Sequence, residues 1–357
     1  MVFNIRGIQW QDGRFGPPYI SEQGQEAIRQ LRVRIPDCNY LHLDSRIRCS
    51  EGSNLATAEA ETTFEELDGA ISLARQLNYK ILLRIRLRGV TSLTFVPPDL
   101  NTWFNNLNTA LTFWADYCQQ RGVELFCILN ELSQTVELQN DLWTQIVSNI
   151  RALYSGIIVY NTNWWSDSNQ LATKLNATWF NTLDIIGISV YPILILAQDY
   201  PPFPETPSIE TLIQGYNSFV LQTDLQGINI PDSFQQLSIQ HGKPVMFYYG
   251  LGSWYGSAAE PWASPATGEI DLQGQSNWFN AFFTVFKNKP WVIGASVDGG
   301  WQTNSDKDPN NLEFVMINKP TQQVVSDWYT ALTPSPAPTS SLGIIAIGGL
   351  LLLLGER

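Results

Sequence analysis

Chemistry on this chain starts at Asn130 and Glu131. They close the apolar stretch Val123-Glu-Leu-Phe-Cys-Ile-Leu-Asn-Glu-Leu132, which has the form of a short buried strand. A carboxylate at the rim of such a strand is costly unless it is paired or used, because an unpaired buried charge is strongly disfavoured. A glutamate so placed could move a proton in general acid-base chemistry, or simply pair with an arginine. Cations are near at hand in Lys80-Ile-Leu-Leu-Arg-Ile-Arg-Leu-Arg88, where alternation puts Arg84, Arg86 and Arg88 on one face. Tyr40-Leu-His-Leu-Asp44 likewise sets His42 and Asp44 on one face. If Arg86 faces Glu131 it favours the ionised carboxylate; alternatively the arginines neutralise Asp44 and Asp298.

Composition narrows the partners. The chain has 357 residues, a net charge of −12, 44% hydrophobic residues and 15% charged ones. Nucleic acid is excluded as a partner, since phosphate binding requires clustered Lys and Arg on a basic domain. The two histidines, His42 and His241, stand far apart, and Cys38, Cys49, Cys118 and Cys127 show no C-x-x-C spacing. No metal site or cofactor is expected from this pattern. Cys38 and Cys49 could pair. Thirteen Trp and thirteen Tyr supply flat apolar faces with polar edges, which suit sugar rings as well as packing.

The elements that must position these residues alternate along the chain. Apolar strands are expected at 4–10, 40–44, 80–88, 123–132, 156–161, 185–191, 243–249 and 291–298. Helical periodicity falls at 22–34, 63–77, 107–121, 142–154, 169–175, 209–221, 276–286 and 322–331. Eight strands separated by helices predict a single α/β domain, a (β/α)8 TIM barrel over residues 1–332. Function in that fold gathers at the carboxyl ends of the strands. The residues expected there are Trp10, Asp44, Arg86, Asn130, Glu131, Asn163, Trp164, Tyr191, Tyr249, Asp298 and Trp301. Trp10, Trp164 and Trp301 are the candidate stacking platforms.

The ordered motifs resemble the family 113 β-mannanases, in the large clan of glycoside hydrolases whose catalytic carboxylates follow barrel strands four and seven. The segment Gly122–Leu132 is similar to the strand-four motif that ends in the acid/base Glu. Tyr160-Asn-Thr-Asn-Trp164, Leu183-Asp-Ile-Ile-Gly-Ile-Ser-Val-Tyr191, Gly242-Lys-Pro-Val-Met-Phe247 and Ala258-Ala-Glu-Pro-Trp262 resemble later landmarks. The resemblance implies that Glu131 is the acid/base, with a β-linked, mannan-like polysaccharide as partner and Asp44, Arg86, Asn130, Asn163, Trp164 and Tyr191 around it. It also implies a second Glu after strand seven. That Glu is missing: residues 243–259 hold no carboxylate, and the position falls on Tyr249, or on Gly250 if the loop slips by one.

Three outcomes stay open. The cleft could bind sugar without cleaving it. Asp298, Asp44 or Glu260 could replace the missing carboxylate. Tyr249 could act as nucleophile, which requires a lowered pKa. A competing class is a non-catalytic surface or virion protein built on a hydrolase barrel. No signal-peptide pattern opens the chain, whereas 333–341 forms a Pro/Ser linker to an apolar run at 342–355 within a tail ending at 357. That run is shorter than the ~20 residues that span a bilayer, and is expected to attach the protein to a membrane, cell surface or particle.

Overall fold

The computed structural model describes residues 3–11, 17–218, 228–263 and 265–333. Most of the linker and all of the apolar run 342–355 lie outside the described residues. The strands are β1 (Ile5–Gln11), β2 (Tyr40–Arg48), β3 (Thr57–Glu59), β4 (Lys80–Arg88), β5 (Leu125–Asn130), β6 (Ile157–Asn163), β7 (Ile185–Ser189), β8 (Val245–Tyr249) and β9 (Val292–Gln302). Eight of them pair in parallel in the order β1-β9-β8-β7-β6-β5-β4-β2, and β1 pairs with β2 to close the ring. β3 adds an antiparallel edge to β2. The molecule is a single (β/α)8 TIM barrel.

Ten α-helices accompany the strands in the described residues: α1 (Glu22–Arg34), α2 (Phe64–Gln76), α3 (Leu100–Gln120), the single turn α4 (Gln134–Glu137), α5 (Asn140–Leu153), α6 (Ser168–Asn176), α7 (Ile209–Asn217), α8 (Ile230–His241), α9 (Leu272–Phe286) and α10 (Pro320–Ala331). Three differences from the expected elements have local causes. α3 begins seven residues before the expected 107, because Asp99 caps it by accepting from the Thr102 N–H at 2.7 Å. α8 was not expected at all. Its signals are nonetheless present: Asn229 caps it, Pro231 sits in its first turn, and Gly242 ends it at φ +63°. β3 is too short to show alternation.

Two cores sandwich the sheet. Inside the ring, Ile5, Tyr40, Leu82, Leu125, Val159 and Met246 form an apolar floor. Outside it, a much larger cluster joins the outward strand residues to the helices. Alternation on each strand therefore decides which residues can reach the mouth. All four cysteines are buried and free, so the possible Cys38–Cys49 pair is not formed.

Candidate active site

Above the apolar floor the barrel interior turns polar, and a cavity of about 720 Å³ opens at the carboxyl ends of the strands. Its wall includes Asn130, Glu131, Asn163, Trp164, Tyr191 and Asp298. Glu131 arrives there by a backbone irregularity. The β5–β6 register slips between Cys127 and Asn130, so that Ile128 and Leu129 both pack in the outer core. This bulge puts Asn130 on the inner face. Glu131 then adopts φ +52°, a left-handed conformation that non-glycine residues seldom take, and its N–H donates to the Asn161 carbonyl at 2.7 Å. Both residues consequently line the cavity.

The turn beneath Glu131 is locked by buried charge. The Leu132 N–H donates to the Tyr160 hydroxyl at 3.2 Å, and that hydroxyl donates to Glu137 Oε1 at 2.9 Å. Thr162 donates to the same oxygen at 2.6 Å, while Lys174 forms an ion pair with the other. Glu137 is fully buried. Sequence reasoning passed over it, although a Glu six residues past Glu131 and a lysine in α6 leave no local trace of their pairing.

Arg84, on the neighbouring strand β4, organises the charges across the barrel interior. Its Nε and Nη2 donate to Asp44 at 2.9 and 3.1 Å, and its Nη1 donates to both Asp298 oxygens at 3.1 and 2.9 Å. Asp44 also accepts from Gln9 at 2.7 Å and Arg86 at 3.3 Å, and its Oδ1 lies 3.0 Å from His42 Nε2. Of the two roles open to the arginines, neutralising Asp44 and Asp298 is the one this geometry realises. Burial would raise the Asp44 pKa, but Arg84, His42 and Arg86 together hold it well below the usual carboxylate range. Burial would lower that of Arg84, yet Asp298 and Asp44 raise it well above its ordinary value. His42 is pushed down by burial and by Arg84, against the pull of Asp44 and Asp298. Tyr191 reaches 3.5 Å from Asp298 Oδ2, and its phenol is pushed well up by burial, then by Asp298 and Glu131.

Several expected site residues lie elsewhere. Trp10 and Trp301 are register partners on the outward phase of β1 and β9. Trp10 packs on Tyr19 at 4.5 Å and Trp301 donates to the Ala27 carbonyl at 2.8 Å, so neither is a stacking platform. Tyr249 points outward from β8 and stacks on Phe282 of α9 at 4.0 Å. Burial raises its pKa well above the ordinary value, the reverse of what a nucleophile needs. Asp44 sits beneath the mouth, spent on its cations. Glu260 is exposed and outside the cavity wall.

Gly250, rather than Tyr249, continues the inward phase of Met246 and Tyr248. A Cβ there would meet the Asp298 carbonyl oxygen at 2.8 Å and Phe314 Cδ1 at 2.9 Å. The loop after β9 thus brings Phe314, with its neighbour Glu313, over the end of β8. Glu313 pairs with Lys307 at 2.6 Å. Trp262, 55% exposed, adds an aromatic face to the cavity wall. The flank containing Trp262 was recognisable in the sequence, but its reach into the mouth depends on how the β8–α9 loop folds back.

A polar cavity with an acid at the end of the fourth barrel strand, over a closed parallel barrel, defines a glycoside-hydrolase-type barrel. The model of Glycoside Hydrolase Family 113 matches residues 57–319, well over half of the chain. The chain belongs to that family. Among solved structures it resembles the GH113 β-mannanase of Alicyclobacillus acidocaldarius in complex with ManMIm, at 20% identity and TM-score 0.72, covering 93% of this chain and 99% of that one. A second GH113 β-1,4-mannanase structure is 22% identical with TM-score 0.70, covering 93% and 100%. A β-glucuronidase of Ruminococcus gnavus shares the barrel at 10% identity and TM-score 0.58, covering 92% of this chain and 50% of that one. No curated protein matches the chain.

Proposed function

We propose that the cavity binds a β-linked, mannan-like polysaccharide and cleaves it slowly, with Glu131 as general acid and Asp298 replacing the missing second carboxylate. One observation carries this reading. Glu131 and Asp298 line the same cavity, with the Tyr191 hydroxyl in the wall between them 3.5 Å from Asp298 Oδ2. In glycoside hydrolysis one carboxyl protonates the leaving oxygen, while the other attacks the anomeric carbon or activates a water. The left-handed backbone of Glu131 supports a functional role, since such strain concentrates at active sites. Cleavage is slow in this reading because Asp298 stands one strand over from β8 and has both oxygens engaged by Arg84.

Reducing-sugar release from mannan, glucan and xylan tests it. Slow release from mannan, abolished in both Glu131→Gln and Asp298→Asn, is expected. Release untouched by Glu131→Gln would remove the acid/base assignment. Phe314, packed where a Gly250 side chain would stand, favours a second reading, a binding-only cleft. Mannan binding with no measurable release would establish that one.

Attachment through 342–355 is a separate proposal resting on the apolar sequence alone. Flotation of the full chain with phosphatidylcholine vesicles, lost in Leu351→Asp with Leu353→Asp, checks it.

A further inference from the structure

β2 and β4 run on past the barrel mouth in register, and the extension carries arginine on arginine. Arg46 is the register partner of Arg86, and Arg48 of Arg88. Like charges set directly opposite on neighbouring strands oppose the pairing, and this chain carries a net charge of −12. Four inward-phase arginines at one corner are therefore not a by-product of composition. Among the described residues the acidic partners they meet are fewer than the arginines. Arg46 meets Glu59 at 3.2 Å and Glu61 at 3.5 Å, Arg86 shares Asp44 at 3.3 Å, and Arg88 reaches Glu61 only at 3.9 Å. The Arg86 and Arg88 side chains are 47% and 51% exposed, and Arg48 is exposed at the end of β2.

These arginines line a trough that continues the candidate active site. Arg86 belongs both to the 720 Å³ cavity of Glu131 and to a neighbouring hollow of about 460 Å³. Arg46, Arg88 and Gly89 are shared in turn by that hollow and a third of about 570 Å³, which reaches Arg48. A chain ligand leaving the cavity on this side passes four guanidiniums and two carboxylates, Glu61 and Glu59, so cations outnumber anions along its path. A neutral polysaccharide offers these donors only single hydroxyl acceptors, whereas carboxylate or sulfate groups match the planar donor fork of arginine in charge and geometry.

We infer that the trough from Arg86 to Arg48 seats anionic groups on the glycan, so that the ligand is a β-linked polysaccharide bearing carboxylate or sulfate. This rests on the glycan-binding reading of the cavity. The test is calorimetric titration of the full chain with three probes of equal length: a neutral β-1,4-mannan oligosaccharide, its sulfated derivative, and a β-1,4-linked uronate oligosaccharide. At least one acidic probe should bind about tenfold tighter than the neutral one. The difference should shrink between 50 and 300 mM salt, as exposed charge pairs are screened. Arg48→Gln with Arg88→Gln should bring that probe to the affinity of the neutral one, and Arg88→Lys should retain part of the gain. The arm that responds identifies the group as carboxylate or sulfate. Equal binding of neutral and acidic probes overturns the inference and leaves the glycan reading standing. Inorganic polyphosphate bound as tightly as the acidic glycan also overturns it. Failure of every glycan to bind removes both.

Discussion

Arg84 Nη1 lies 2.9 and 3.1 Å from the two oxygens of Asp298, while the rest of the same guanidinium grips Asp44. One buried cation on β4 thus ties β2 to β9 across the mouth of the barrel. The wall facing Glu131 is held by charge where the floor is held by apolar packing.

Removing that cation strands two carboxylates. Arg84→Met is expected to cost about 3–5 kcal/mol, as breaking a buried pair does, read as a fall in the urea midpoint at pH 7. The pH dependence follows from sign. In the wild type the Asp44 pKa is depressed, so its contribution is present above the unfolded value near ~3.9 and is lost as pH falls through the folded one. In Arg84→Met only His42 and Arg86 remain against burial, so that pKa should rise and the deficit should narrow as pH drops from 7 to 4.5. A constant deficit would show that the lost stability is packing alone.

His42 predicts a milder slope. Its pKa is lowered in the folded protein, so the unfolded chain binds more protons once pH falls below ~6.5. Stability should decline between pH 7 and 5, and His42→Gln should flatten that decline in urea titrations. An unchanged slope would assign it to other groups, among them His241, which is also lowered.

Tyr160→Phe tests how Glu131 is positioned. The variant removes the acceptor of the Leu132 N–H and one of the donors to Glu137, leaving the buried N–H unsatisfied at ~1–3 kcal/mol while Glu137 keeps Thr162 and Lys174. Glycan hydrolysis should fall in kcat more than in KM, because the carboxylate shifts while the cavity persists. Equal loss of thermal stability with kcat intact would confine Tyr160 to a structural role.

Gly250 and Phe314 are coupled. Gly250→Glu alone should destabilise the fold by ~1–3 kcal/mol through overpacking, since its Cβ meets Phe314 and the Asp298 carbonyl. Adding Phe314→Ala should relieve part of the strain, and hydrolysis should rise above wild type if a carboxylate after β8 is what the cleft lacks. A well-folded double variant without gain would show that Gly250 does not occupy the second catalytic position.

Much of this protein was legible in its sequence. Eight apolar segments at regular spacing determined the barrel, because a parallel sheet covered on its outer face demands near-continuous hydrophobic strands. The same count placed Glu131, Asn130, Asn163, Trp164, Tyr191, Arg86 and Asp298 at the mouth, where the cavity wall contains them. Strand-end position alone failed for Trp10, Trp301 and Tyr249. Whether a strand-end residue faces the cavity depends on its phase, and a side chain one residue out of phase points to the helices instead. Where the phase shifts, only the tertiary structure decides: the bulge before Asn130 and the left-handed turn at Glu131 are set by pairing with β6. Long-range pairings were equally hidden. Arg84 with Asp298 spans 214 residues and Lys174 with Glu137 spans 37, distances over which charge pattern says nothing of partners until the ring closes. Sequence determined the barrel and the acid at its fourth strand; closure of the barrel decided what faces that acid.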